Sequence, residues 1–438
     1  MLKCNSDKDF STFMDTNSLT ALRLKAQVNK FSGILSSGLQ KTKKRLIREM
    51  IYGIQASKDV KLSNISRALQ EPIPLIKTEN RLSRNLDDED YSDKINSEIL
   101  RIGTRHITED MVIAIDPGDV CKPYAKAMEH MCKLYDGDKK LPAVGYHLCQ
   151  VTAANLEHNK IVPLHCELYS TAEGQVKNNT EKITEIISKV KASIGKVGTW
   201  AIDREGDNQE IIKHFLDNKL TFVTRLKTTR WLHFDKNTAK QVATKRLCRH
   251  IKKKYKSKLV SIVNGREMER MLTYSTSVVA LPEMPDVWLN AVIVEGWGEV
   301  PTVLLTNLEV DQENPLTLLR VVECYLTRWK CDECFRYIKQ SYNTEDVRVR
   351  SYNGLRNIIA MVHAIAYFTS IFIGINIKLK IMIEKIYIMS KRFFGIPNFF
   401  NYAMADGIYN LLKSTKTGLV NFIKVKPPPN FQLKLFPS

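Results

Sequence analysis

Residues 111–116 read "MVIAID" and residues 199–203 read "TWAID", two short apolar runs that each stop on an aspartate, Asp116 and Asp203. A run of four or five apolar residues closed by a polar one is the pattern of a buried strand. Each carboxylate is therefore expected at a sheet end, held there by a rigid element. Between the two runs, "GYHLCQVTAAN" (145–155) and "KIVPLHCELYS" (160–170) read as a hairpin, and "KNNTEKITEIISKVKASI" (177–194) reads as a helix. A helix at "NQEIIKHFLDN" (208–218) and a strand at "LTFVTRL" (220–226) follow. The order strand, strand, strand, helix, strand, helix, strand predicts an α/β core with a sheet of mixed strand direction.

On the N-terminal side, residues 20–86 read as helical and basic, broken at "SSG" (36–38) and around Pro72 and Pro74. "KLSNISRALQ" (61–70) offers Ser63 as an N-cap with Ile65 and Leu69 on one face. "IKTENRLSRNL" (76–86) supplies Lys77, Arg81 and Arg84 after the prolines. That pattern suits a small helical DNA-binding unit with Arg81 and Arg84 on phosphates. The acidic run "DDEDYSD" (87–93) reads as a linker.

On the C-terminal side, residues 225–270 hold fifteen Lys and Arg against three acids, with Lys252, Lys253 and Lys254 in one run. So many cations repel one another without an anion beside them, and these three lysines are assigned to DNA phosphates. The strand-like runs "SVVALPEM" (277–284), "VWLNAVIVEGWG" (287–298) and "TVLLTNLE" (302–309) make this region a strand-rich insertion. From Leu316 onward the chain reads as helical. The expected organisation is a helical DNA-binding domain over 1–90, a catalytic core formed by 107–226 and 309–375, a basic insertion over 227–308 and a helical region over 376–438.

The totals agree with a folded, polyanion-binding protein. The chain has 438 residues, 44% of them hydrophobic, and 66 Lys and Arg against 47 Asp and Glu leave a net charge of +19. Nine cysteines without dense spacing, and no signal peptide at "MLKCNSDKDF", predict reduced thiols in a cytoplasmic protein. The stretch 357–377 is long and apolar enough to span a bilayer. Its His363 and the asparagines at its two ends predict a buried helix instead, with no membrane partner. Neither a Walker loop nor a Gly-rich dinucleotide turn is present.

Two carboxylates at neighbouring strand ends repel unless protonated or bridged by a cation, and hard oxygen donors suit Mg²⁺ or Mn²⁺. With a third acid they would equip a site for two-metal phosphodiester chemistry. The candidate for the third lies in "CYLTRWKCDECFRYIKQSY" (324–342). On a helical wheel with Tyr325 at zero, Arg328, Asp332 and Lys339 fall at about 300°, 340° and 320°, on one face, and Glu333 at about 80°. Cys324, Cys331, Cys334, Phe335 and Ile338 form an apolar stripe at about 180–280°. The cysteines therefore read as core, because a structural zinc site needs a second ligand pair that the chain lacks.

The spacing Tyr325, Arg328, Asp332, Lys339 in "YLTRWKCDECFRYIK" resembles the Tyr, Arg, Glu, Lys signature of DDE transposases of the insertion sequence four group. "AIDPGDVCKPYAKAMEH" and "WAIDREGDN" resemble the segments that carry that group's first two catalytic aspartates, on Asp116 and Asp203, and "RVRSYNGLRN" is also similar. The resemblance covers roughly residues 20–375. It implies an RNase H-like core interrupted by a β insertion, with flanking helical parts. It implies two Mg²⁺ or Mn²⁺ ions on Asp116, Asp203 and Asp332, cleavage at terminal inverted repeats, and attack of the freed 3′-OH on target DNA. Tyr325, Arg328 and Lys339 would contact DNA phosphates. A homodimer on DNA and a bacterial, nucleoid-associated location follow from the same resemblance.

One departure stands out. The signature glutamate is Asp332, one methylene shorter, while Glu333 has the length but points a quarter turn away on a regular helix. Three outcomes stay open: Asp332 completes the site, Glu333 replaces it, or the chain is a catalytically inactive DNA-binding relative.

Overall fold

The computed structural model describes residues 6–137, 139–156, 160–234, 241–251, 254–263, 266–374, 379–390, 401–415 and 418–419. Lys252 and Lys253 lie outside the described residues. Five helices come first, α1 (Ser6–Leu35), α2 (Lys41–Ser57), α3 (Leu62–Leu69), α4 (Leu75–Asp87) and α5 (Ser92–Gly103). Strands β1 (Val112–Cys121), β2 (Cys132–Asp136), β3 (Leu141–Ala154) and β4 (Ile161–Tyr169) follow. Next are α6 (Asn179–Ile194), β5 (Thr199–Ile202), α7 (Gln209–Asp217) and β6 (Phe222–Arg225). The basic region holds β7 (Trp231–His233), β8 (Gln241–Ala243), α8 (Thr244–His250), β9 (Tyr255–Val263), β10 (Arg266–Leu281), β11 (Met284–Glu295) and β12 (Thr302–Thr306). Helices α9 (Pro315–Thr327), α10 (Trp329–Tyr342), α11 (Tyr352–Tyr367), α12 (Lys380–Met389) and α13 (Asn401–Ser414) complete the order.

The described strands form one mixed sheet in the order β2-β3-β1-β5-β6-β12-β11-β10-β7-β8, with β4 beside β3 and β9 beside β10. β1, β5 and β6 run parallel, and the neighbours outside them are antiparallel. The strands of the basic region continue the core sheet, because β12 pairs with β6 from Leu304 opposite Arg225 to Thr306 opposite Val223. Helices α5 and α11 pack on β4, while α9 crosses the opposite face over β1, β5, β6 and β12.

Four local expectations are revised. β1 does not stop at Asp116; it runs on through Pro117 to Cys121, paired with β3 alone once β5 has ended. Proline is tolerated there because the strand is an edge on the side that β5 has left. Ser63 lies inside the first turn of α3, whose N-cap position is Lys61. Asp59, just outside, accepts the Lys61 N–H at 2.9 Å and the Asn64 amide at 2.8 Å.

The acidic "linker" is docked instead of free. The buried amide of Asn357 donates to the carbonyls of Leu86 (2.9 Å) and Glu89 (2.7 Å) and accepts the Tyr91 N–H (2.6 Å). Arg356 pairs with Asp90 at 2.7 Å, and Lys43 pairs with Asp88 and Glu89. Lastly, Arg81 points inward, as described below. The N-terminal helices consequently share one hydrophobic core with the sheet and with α11 and α13.

The stretch 352–372, α11 and a π turn at Phe368–Phe372, is the one helix among the described residues long and apolar enough to cross a membrane, and 83% of its most apolar window is buried inside the protein. His363 in its middle is fully buried with neither ring nitrogen bonded to a described partner, and burial pushes its pKa down to about 3, so it is neutral.

Candidate active site

The last parallel pair of β1 and β5 is Ile115 with Ile202, so Asp116 and Asp203 follow at the same level on adjacent strands. Side chains alternate along a strand, which puts both aspartates on the face of Val112 and Ala201, beneath α9. Asp203 caps the tight turn Arg204–Gly206: its Oδ1 accepts the Glu205 N–H at 2.9 Å, and its carbonyl accepts the Thr224 hydroxyl at 3.0 Å. Only glycine fits at 206. A Cβ there would stand 2.2 Å from Ile202 Cγ2 and 2.6 Å from Thr224 Oγ1.

The third acid comes from α10. Helix α9 closes at Thr327, and a tight joint at Arg328 passes the chain into α10: the Arg328 N–H reaches Tyr325 O at 3.3 Å, and the Cys331 N–H reaches Arg328 O at 2.8 Å. The wheel's phase survives this joint. Arg328 donates to both oxygens of Asp332, Nη1 at 2.7 Å and Nη2 at 3.1 Å, and the same Nη1 is 3.8 Å from Asp116 Oδ1. One nearly buried guanidinium thus bridges the first and third acids.

Three carboxylates around one cation leave surplus negative charge. Burial first, and then the charge of Asp332, push Asp116 up to about 7, against the pull of Arg328. Asp332 is raised by burial, again against Arg328. Burial would lower the Arg328 pKa, but Asp332, Tyr325 and Asp116 outweigh it and hold the guanidinium charged. Among the described residues no three His, Cys, Asp or Glu side chains stand as a ready-made metal cage. The chemistry of the donor set nonetheless suits a hard divalent cation. All three acids offer oxygen, two of them have pKa values raised by burial first and then by a neighbouring acid, and Arg328 already serves as counter-charge.

Glu333 faces away and is paired with Arg336 at 2.6 Å. Cys324, Cys331 and Cys334 are fully buried; Cys331 lies under α10 with its thiol 3.9 Å from Ala114 O, and Cys334 receives the Gln150 amide at 3.6 Å. Tyr325 is buried, with the Trp297 ring edge-on at 5.6 Å and the Arg328 guanidinium 5.8 Å over its ring. Burial raises its hydroxyl pKa. Lys339 turns toward Glu345 (3.0 Å), the Asp119 carbonyl (3.5 Å) and the Phe335 ring (4.5 Å).

The other predicted phosphate contacts are dispersed. Arg81 donates to Glu49 and Glu71, each at 2.6 Å, and both carboxylates are almost fully buried. It is a pin between α2 and α4, so its assignment to DNA is corrected. Arg84 is exposed, with its Nε on Asn80 O at 3.3 Å. Lys254 pairs with Glu313 at 2.6 Å and lies 5.4 Å from the Tyr255 ring centre.

Several site residues went unread in the sequence. Glu205, two residues after Asp203, is exposed as a residue, yet partial desolvation of its carboxyl, with Asp203 and Asp119 beside it, pushes it up to about 7. Asp119 on β1 meets His147 on β3, Oδ1 to Nδ1 2.9 Å. Burial opposes protonation of His147, but Asp119 and Cys132 outweigh it and push the imidazole up to about 9. Trp297 joins Tyr325 to the exposed Trp329, 6.2 Å away. The signals were there in the acids of "DREGD" and the glycines flanking Trp297, but only the fold brings them to the site.

The described chain is a mixed α/β protein with a large mixed sheet and packed helices. No family model matches it, and no curated protein matches it. Among solved structures it is similar to a cryo-EM structure of the piggyBac transposase synaptic complex with hairpin DNA, with a TM-score of 0.43 and 10% identity, covering 94% of this chain and 83% of that chain.

Proposed function

We propose that the protein is a DDE-type transposase of the insertion sequence four group, with an RNase H-like core, which cuts DNA at transposon ends and joins them to target DNA. The observation that carries this reading is that Asp116 and Asp203 follow the ends of one parallel strand pair on one face of the sheet, with Asp332 bridged to Asp116 through Arg328. The motif order and the net charge of +19 support it.

Asp116, Asp203 and Asp332 would hold one or two Mg²⁺ or Mn²⁺ ions. Bound there, such ions supply an activated oxygen nucleophile and a stabilised leaving oxygen. The chain's own residues do the rest. Asp203 is fixed by its turn and by Thr224 below it, so it presents its carboxylate without reorganisation. Arg328 is permanently charged and carries a planar fork suited to phosphate as well as carboxylate, so it can exchange Asp332 for a DNA phosphate. Tyr325 orients that fork from below. DNA ends would be brought together by two copies of the chain.

A second reading, a DNA-binding relative without catalysis, is favoured by one observation: the bidentate pair with Arg328 engages both oxygens of Asp332. Nicking of duplexes carrying the inverted repeats that flank the coding sequence, with Mg²⁺ titrated, separates the two. Wild type should nick; Asp116→Ala, Asp203→Ala and Asp332→Ala should each lose roughly a hundredfold or more in rate, and Glu333→Ala should stay close to wild type. No nicking by wild type at any metal concentration, with end binding intact, establishes the second reading.

A further inference from the structure

Beside Asp203 the structure opens a cleft of about 840 Å³ between the core sheet and the basic insertion. Its cations are Arg204, Arg225, Lys227, Lys245 and Arg249, and its acid is Glu295. None of those five side chains has an ion-pair or hydrogen-bond partner among the described residues, whereas Lys43, Arg45, Arg81, Arg230, Arg328 and Arg356 are each held by a carboxylate. The walls are backbone-built. The turn after β6 is tied to α8 where the Lys245 N–H donates to Thr228 O (3.1 Å) and the Thr244 N–H to Arg230 O (2.8 Å), and β12 closes the other side. Val300, 53% exposed, and Pro301 give the cleft an apolar edge among its charges.

We infer that this cleft binds a single strand of DNA leading away from the carboxylates. The inference rests on the proposed function for the identity of the polymer; the cleft itself specifies its charge and its size. Five like charges in a concave site repel one another and focus a positive potential that an anion relieves. A run of phosphodiesters offers one anion per nucleotide. One turn of B-form duplex is about 34 Å long, far larger than a cavity of about 840 Å³ can enclose. Cavities of roughly 300–1,000 Å³ enclose drug-sized ligands, so this one has room for about two or three nucleotides. Cations that track a backbone beside apolar surface that receives base faces are the two parts of a single-strand site.

Position ties the cleft to the chemistry. Arg204 directly follows Asp203 in the turn it caps, and the charge of Arg225 is felt at the Tyr325 hydroxyl. A strand cut at the carboxylates therefore has a cationic channel next to it.

The test uses full-length protein in EDTA, so that binding is read without turnover. Fluorescence anisotropy is measured with a labelled thymidine hexanucleotide and with a duplex, for wild type and for the triple variant Lys227→Gln, Lys245→Gln, Arg249→Gln. The variant should bind the single strand roughly tenfold more weakly, with a salt slope flatter by about two, while duplex affinity stays within about twofold. Equal single-strand affinity and slope in the two proteins, or an equal loss for duplex, overturns the inference. Should the triple variant melt early, photocrosslinking of an iodouracil-labelled hexanucleotide to wild type decides: crosslinks within 225–229, 244–249 or 300–303 support the cleft, and crosslinks only elsewhere overturn it. Nicking that fails while this binding persists sinks the transposase reading alone. Nicking that succeeds while the cleft variants bind like wild type sinks only the cleft.

Discussion

Arg328 is the residue on which the site turns. It is the counter-ion of a crowded carboxylate cluster, with its side chain only 10% exposed. Removing it leaves partly buried like charges uncompensated, a loss of about 1–3 kcal/mol once their partial exposure is allowed for. Arg328→Ala should therefore melt well below wild type in EDTA, and most of the gap should close on adding Mn²⁺, because a cation then does what the guanidinium did. A gap that is the same with and without Mn²⁺ would contradict a metal on these acids. Asp116 makes a second, pH-linked statement. Its folded pKa of about 7 lies above the unfolded value of about 3.9, so the stability it contributes is present in full below about pH 4 and is lost as pH rises through 7. Metal-free wild type should lose melting temperature between pH 5 and 8. Asp116→Asn should show a flatter profile and be the more stable protein at pH 8, by on the order of 2 kcal/mol.

At the scale of elements, the turn after β5 and the joint before α10 set the geometry. Gly206→Ala forces a methyl group into Ile202 and Thr224, and overpacking of that kind costs about 1–3 kcal/mol. It should lower both the melting temperature and the nicking rate, since the displaced turn carries Asp203. A variant with unchanged melting but lost activity would point to a role for the turn beyond packing. Much of this level was legible in the sequence. The apolar runs before Asp116 and Asp203, the hairpin of β3 and β4, and the helical phase that separates Asp332 from Glu333 all follow from residue period alone. The extension of β1 past Pro117 was not legible, because it depends on where β5 ends, at Ile202, far along the chain. Ser63 looked like a cap because it is a short side-chain oxygen near a helix start, but the helix begins one residue earlier, after Lys61, and Asp59 outside it takes the Lys61 N–H and the Asn64 amide.

For the whole molecule, charge by itself misled where burial decides. Arg81 and Arg84 sit one turn apart with the same chemistry in the sequence, yet one is held by two buried glutamates and the other faces solvent. Arg81→Ala should destabilise the protein by about 3 kcal/mol, whereas Arg84→Ala should leave melting within about 0.5 kcal/mol of wild type. Thermal melts of the two variants read this directly. The acidic run at 87–93 misled in the same way, since nothing local announces that an asparagine on a distant apolar helix will fasten it. The continuous sheet has a different consequence. Asp203 directly follows β5, Arg225 ends β6 and Val303 lies on β12, three strands in succession, each about 4.8 Å from the next. Hydrogen-bonded backbone, with no linker between, therefore gauges the offset between the carboxylates and the cationic cleft. That gauge has no fine adjustment: a one-residue slip of a strand would turn its side chains to the opposite face. The reach between the two sites can thus be kept or lost, but not gradually lengthened.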